Sequence, residues 1–222
     1  FLLSSIEEVD AVMEGKGGEA IKELVSQSGA VCLGLGEAGY RQIVNKKLPI
    51  KSPEDLKGLK LRVPGIAMYV DLFKILGADP IAMNQSEVYT SLQQGAIDGS
   101  ENTLDLLITQ NTLEVVKFIT LWNYSYDPVI FTASEKLWNS LSDEDKKIFK
   151  AAGEEAMAIQ KAEKRKLDAQ YIEKVKKEYG LDVTELSAEQ IQAFKDAAAP
   201  IYTQYKDVIS PELFEVFGYT FK

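Results

Sequence analysis

Arg62 is the residue whose type and position most invite chemistry. It ends the run Leu59-Lys60-Leu61-Arg62-Val63, which alternates apolar and basic residues with the period of a strand that has one buried side. Pro64 cannot donate to a sheet ladder, so the strand should stop there and leave Arg62 at its C-terminal end. In an open α/β sheet that end is where ligands sit, and a permanently charged, planar fork of donors suits a bidentate carboxylate. The other role open to Arg62 is a place on a solvated strand face, where most strand arginines lie. Asn102 is the second candidate. It falls where a short strand, Ala96 to Asp98, gives way to a helix starting near Glu101, so its amide can reach a bound carboxylate or cap that helix. Glu101 reads as a charge that opposes the helix dipole.

Other chemistry is removed by composition. The 222 residues contain no histidine, which excludes imidazole bases, Ser-His and Cys-His pairs and histidine metal sites. The single cysteine, Cys32, allows neither an internal disulfide nor a thiolate zinc site, and in Ala30-Val31-Cys32-Leu33-Gly34 it reads as a small residue of a buried strand. Carboxylates Glu87, Asp98 and Glu101 could serve as acid and base, but nothing arranges them into a site, so an enzyme is not expected. A net charge of −9 without a basic run argues against nucleic acid or an anionic membrane as partner. No apolar run approaches the ~20 residues of a membrane helix.

The elements that must position Arg62 and Asn102 read as alternating strands and helices, an α/β pattern with mainly parallel pairing. Ser52 to Gly58 forms a turn of helix with Pro53 at its first position, directly before the Arg62 strand. Ser5 with Glu8, Asn84 with Glu87 and Ser187 with Gln190 are capping-box patterns. Helices are predicted from Ser5 to Gly15, Glu19 to Ser28, Ala67 to Leu76 and Asn84 to Gly95, and a strand over Ala30 to Leu35. Strands at Val116 to Leu121 and Pro128 to Thr132 flank Trp122-Asn123-Tyr124-Ser125-Tyr126-Asp127, a crossing between domains whose aromatic rings either line a cleft or fill core.

Ser142 caps a helix that runs to Gly180, roughly 37 residues or about 55 Å. Ile148, Ala152, Ala156 and Ile159 make one apolar stripe on it and Leu167, Tyr171 and Val175 another, with polar Gln160 to Lys166 between them, as where a helix bridges two packed bodies. Gly153 marks a kink in this reading. Pro200 interrupts the following helix, and the apolar end, Pro211 to Phe221, should dock on the body.

Three motifs in order, Gly39-Tyr40-Arg41, then Pro49-Ile50-Lys51-Ser52-Pro53-Glu54-Asp55-Leu56-Lys57-Gly58-Leu59-Lys60-Leu61-Arg62-Val63-Pro64, then Gly95-Ala96-Ile97-Asp98-Gly99-Ser100-Glu101-Asn102, resemble the substrate-binding proteins of tripartite ATP-independent periplasmic (TRAP) transporters, dicarboxylate-binding type. The resemblance implies a periplasmic-binding-protein-like α/β fold, two domains around a cleft with a long helix spanning both. It places residues 1–36 and 127–178 in what remains of an N-terminal domain plus the long helix, and 37–126 and 179–222 in a second domain carrying the arginine. It implies that Arg62 salt-bridges a substrate carboxylate, that Asn102 hydrogen-bonds the same group, and that Arg41 is a second basic contact. Gln85 falls where several members place a ring-stacking residue, and Tyr124 and Tyr126 stand in a loop where many members carry a histidine and an aromatic. The implied function is capture of a small organic acid in the periplasm and delivery to the membrane components of a TRAP transporter, by a monomer without cofactor or metal. A ligand-sensing domain of a signalling system is the alternative. Members are longer, so an export signal and the first strand and helix units are expected to be missing.

Overall fold

Three serines start helices where the sequence predicts: the hydroxyls of Ser5, Ser142 and Ser187 each accept a bond from the amide three residues on. The computed structural model describes residues 1–221. In chain order the elements are α1 (Ile6–Met13), α2 (Lys16–Gln27), β1 (Ala30–Asn45), β2 (Lys60–Val63), α3 (Ala67–Ile75), β3 (Asp79–Ala82), α4 (Val88–Gln94), β4 (Gly99–Thr103), α5 (Leu104–Thr109) and β5 (Phe118–Leu121). They continue with β6 (Tyr126–Ser134), α6 (Glu135–Ser140), α7 (Asp143–Glu178), β7 (Asp182–Glu185), α8 (Ala188–Ala198), α9 (Pro200–Tyr205) and α10 (Pro211–Val216).

Strand β1 is the surprise. The strand expected to end at Leu35 runs for 16 residues, through Gly36 and Gly39 to Asn45. Its first part pairs with β6 as a two-stranded ribbon, and its last part lies between β4 and β5 in a sheet of order β3-β2-β4-β1-β5-β7. All three of its pairings are antiparallel, whereas β2 with β3, β2 with β4 and β5 with β7 are parallel, so the expected parallel sheet is mixed. The glycines allow the backbone of α7 to lie on the strand. A Cβ on Gly34 would stand 2.6 Å from the carbonyl oxygen of Gly153, and one on Gly153 would stand 2.7 Å from that of Leu33. Gly153 is thus a contact point in an unbroken helix rather than the expected kink.

The sheet is packed on both faces. Ile43, Leu61, Val63, Phe73, Trp122 and Phe194 belong to the core on one side, and Val44, Val88, Leu92, Leu107, Ile119 and Val175 to the core on the other. Alternation explains the split, since neighbours along a strand face opposite ways. Phe214 is buried and Tyr219 and Phe221 pack beside it, so the apolar end docks as expected. The ribbon has no comparable core. The stripe expected to pack along the first part of α7 is exposed, with Ile148 at 60% and Ile159 at 59%, and Val129, Ile130 and Phe131 of β6 are exposed as well. The second stripe behaves as expected, with Val175 fully buried and Tyr171 packed beside it.

Two boundaries differ near the site. The strand expected at Ala96 to Asp98 lies three residues later, and the helix expected near Glu101 starts at Leu104. Glu101 and Asn102 are therefore strand residues, and the dipole role read for Glu101 does not hold. Asn84 makes no capping bond, so that predicted box is absent, whereas Ser52 with Asp55 forms one before β2.

Candidate functional site

Arg62 is paired in register with Ser100, and Asn102 lies two residues beyond Ser100 on β4. A period of two puts all three on one face of the sheet, at its end. The solvated role for Arg62 is excluded there, because Leu61, Arg62 and Val63 are all buried and Arg62 retains 4% exposure, as does Asn102. Arg62 Nε donates to the Met83 carbonyl at 2.9 Å and Nη1 to Gln85 Oε1 at 2.9 Å. Asn102 Nδ2 donates to the same Gln85 oxygen, also at 2.9 Å, while its Oδ1 accepts from the Thr103 amide. The buried hydroxyl of Ser100 has no partner. Arg62 thus faces neutral oxygens. Burial lowers its pKa from the ordinary guanidinium value, a shift opposed by the field of Glu101 and reinforced by Arg41; a guanidinium remains charged regardless.

Arg41 belongs to the opposite face, because it is paired with Thr103 and alternates with Gln42, the partner of Asn102. Its Nε and Nη2 hold the carboxylate of Glu101 at 2.5 and 2.8 Å, Nη2 also donates to the Glu101 carbonyl, and Nη1 donates to Asp127 at 2.7 Å. The hydroxyl of fully buried Tyr124 donates to Glu101 as well, and the ring of Tyr69 lies under the guanidinium, 5.3 Å from its carbon. Burial would lower the pKa of Arg41, but the Glu101 bond and charge outweigh it and hold the group above its usual value. Tyr124 is pushed far up, by burial first and then by Glu101.

Of the six residues named from the sequence, the structure therefore brings Arg62, Gln85 and Asn102 onto one acceptor. Arg41 and Tyr124 form a second group with their polar atoms turned inward. Tyr126 stands in a third. Its hydroxyl donates to buried Glu37, which also receives Arg165 Nε, and Arg165 in turn grips Asp10. Lys164 beside it reaches Asp105 and Asp168. The sequence reading does not pair Arg41 with Glu101, Asp127 or Tyr69, all central to its group. A buried acidic residue facing an arginine 60 positions away leaves no local trace. An apolar cavity of about 550 Å³, walled by Leu2, Ile66, Tyr69, Tyr124, Ile201 and Phe214 among others, does not include Arg62, Gln85 or Asn102.

A mixed α/β sheet extended by a ribbon and bridged by one long helix, with a buried arginine at its end that bonds only neutral oxygens among the described residues, is a periplasmic-binding-protein-like fold. The chain matches the bacterial extracellular solute-binding protein family 7, DctP, over residues 1–207, and it belongs to that family. The 2,3-diketo-L-gulonate-binding periplasmic protein of Escherichia coli is 33% identical over 201 residues, 89% of this chain and 59% of that protein. The C4-dicarboxylate-binding periplasmic protein of Shewanella loihica is 30% identical, over 97% of this chain and 64% of the relative. The chain thus spans roughly two thirds or less of the curated relatives it matches.

Solved structures agree on the fold. A TRAP periplasmic solute-binding protein from Ralstonia eutropha with bound (S)-2-acetolactate gives a TM-score of 0.90 at 34% identity, covering 98% of this chain and 71% of that one. One from Roseobacter denitrificans with bound β-D-glucuronate gives 0.92 at 27%, covering 100% and 73%. One from Shewanella oneidensis with bound succinate gives 0.90 at 29%, covering 98% and 71%. Among the described residues, no helix is long and apolar enough to cross a membrane.

Proposed function

We propose that this protein captures a small organic acid outside the cytoplasm, in the periplasm, and delivers it to the membrane components of a TRAP-type transporter, without chemical turnover. The observation that carries the reading is that Arg62 is buried without a carboxylate partner while its fork and the Asn102 amide converge on one oxygen. A buried guanidinium whose bonds go to neutral acceptors can gain a charge-assisted pair, and a carboxylate is the planar anion that its geometry fits. Related proteins crystallised with acetolactate, glucuronate and succinate, all carboxylates, support the same class of ligand.

In this reading, residues 1–36 and 127–178 form one body and 37–126 and 179–222 the other. The separate pairing of the two parts of β1 supports that division. Arg62 and Asn102 take the carboxylate, with Gln85 beside them. Arg41 and Tyr124 shape the floor through Glu101, and Tyr126 braces the junction through Glu37.

Thermal unfolding against a panel of organic acids, with Arg62→Ala alongside, tests it, because a ligand that binds the folded form raises the midpoint by mass action. A charged hydrogen bond contributes about 1.5–3 kcal/mol, so the variant should bind at least roughly tenfold more weakly. Unchanged affinity for every acid that binds would refute the assignment.

A further inference from the structure

We infer that Gln85 gates the carboxylate site: its side-chain oxygen holds the Arg62 and Asn102 donors and must leave before an acid can take them. The inference rests on the carboxylate reading of Arg62 and adds a gate to it. Gln85 Oε1 sits 2.9 Å from both Arg62 Nη1 and Asn102 Nδ2, the arrangement that one carboxylate oxygen would adopt. Arg62 and Asn102 are almost completely buried, whereas Gln85 is only half-buried.

The remaining geometry makes the amide displaceable. Arg62 Nε stays fixed on the Met83 carbonyl, so the fork keeps its orientation when Gln85 departs. Gln85 opens a three-residue 3-10 turn, Gln85–Glu87, whose preceding residue Asn84 makes no side-chain capping bond. No hydrogen bond holds Gln85 Nε2 among the described residues. An amide oxygen is a neutral acceptor, and a carboxylate on the same donors forms the stronger, charge-assisted bond. The site is therefore satisfied when empty and still yields to an acid, at the cost of apparent affinity set by the fraction of molecules with Gln85 swung away. Hydrophobic or acidic residues at this position would move that fraction in opposite directions, which makes Gln85 a determinant of affinity without a contact to the ligand.

The test uses D-galactonate and succinate as probes in calorimetric titrations of the wild-type chain, Gln85→Leu, Gln85→Glu and Arg62→Ala. Removing the resident oxygen should tighten binding about threefold or more in Gln85→Leu, and a tethered carboxylate should weaken it at least about tenfold in Gln85→Glu. If Arg62→Ala abolishes binding but Gln85→Leu binds equally or more weakly, the gate is wrong and the carboxylate site stands. If Arg62→Ala binds as the wild type does, the site itself is wrong and the gate falls with it. Should the wild type take neither acid, thermal midpoints decide without a ligand. Gln85→Glu should unfold at a higher temperature than wild type when Arg62 is present and not in the Arg62→Ala background; equal effects in both backgrounds overturn the proposal.

Discussion

Two buried arginines stand at the same end of one sheet, on opposite faces, and they differ in what answers their charge. Arg41 meets two carboxylates, Glu101 and Asp127, with a tyrosine hydroxyl completing the Glu101 oxygens. Arg62 meets a main-chain carbonyl and an amide. Burial costs both guanidiniums their hydration, yet only Arg41 recovers it in full from charge within the protein. On the proposed reading, the contrast separates a structural ion pair from a binding group more clearly than the residue type does, because the arginine with neutral partners is the one assigned to the acid.

Breaking the Arg41 pair should give the largest effect. Arg41→Ala leaves Glu101, which has no exposure at all, as an uncompensated buried charge, and such losses are about 3–5 kcal/mol of folding stability. Chemical denaturation with both variants side by side reads this directly. Arg62→Ala should then cost less stability, about 1–3 kcal/mol, because it leaves neutral acceptors rather than a buried carboxylate behind; its loss should appear in acid binding. Equal destabilisation by the two substitutions would erase the distinction drawn here.

The junction network offers smaller tests of the same idea, that a charge answered internally is structural. Tyr126→Phe removes a donor to Glu37, which keeps Arg165, so about 1 kcal/mol of stability should be lost with acid binding unaffected. The smallest effect is expected in acid. The Arg165 fork holds Asp10 at a pKa of about 2, below the roughly 3.9 of an unfolded aspartate. A depressed folded-state pKa adds stability above the unfolded value and loses it as pH falls toward the folded one. Stability should therefore decline between about pH 4 and 2, with a shallower slope in Asp10→Asn, as urea midpoints across that range would register.

Much of this was legible in the sequence where the cause is local. Caps at Ser5, Ser142 and Ser187 and the turn at Ser52 with Asp55 depend on residues three apart. The place of Arg62 at the end of a strand was legible through strand period, whereas the strand position of Asn102 and the bond of Gln85 to both were not. What failed had distant causes. Gly36 falls beyond the strand expected to end at Leu35, yet it is in β1 and admits Met157 and Gln160 from over a hundred residues away. Glu101 resembled a helix-opening charge because its arginine comes from another strand. The exposed stripe of α7 has the spacing of a packed face, and spacing alone does not say whether anything covers it.

The contact of Gly34 with Gly153 is also part of a longer one. Strand β1, about 50 Å at the usual rise, and helix α7, about 54 Å, traverse the molecule together and touch backbone to backbone near one end. The contact continues along both elements, with Gly36 against Met157 and Gln160 and Gly39 against Lys164 and Asp168. Glu37 to Gly39 lies at that level, where the β1–β6 register slips and Gly39 takes a φ of 92°. The residues where β1 departs from regular pairing therefore lie within reach of Lys164 and Asp168, two side chains that are bonded to each other.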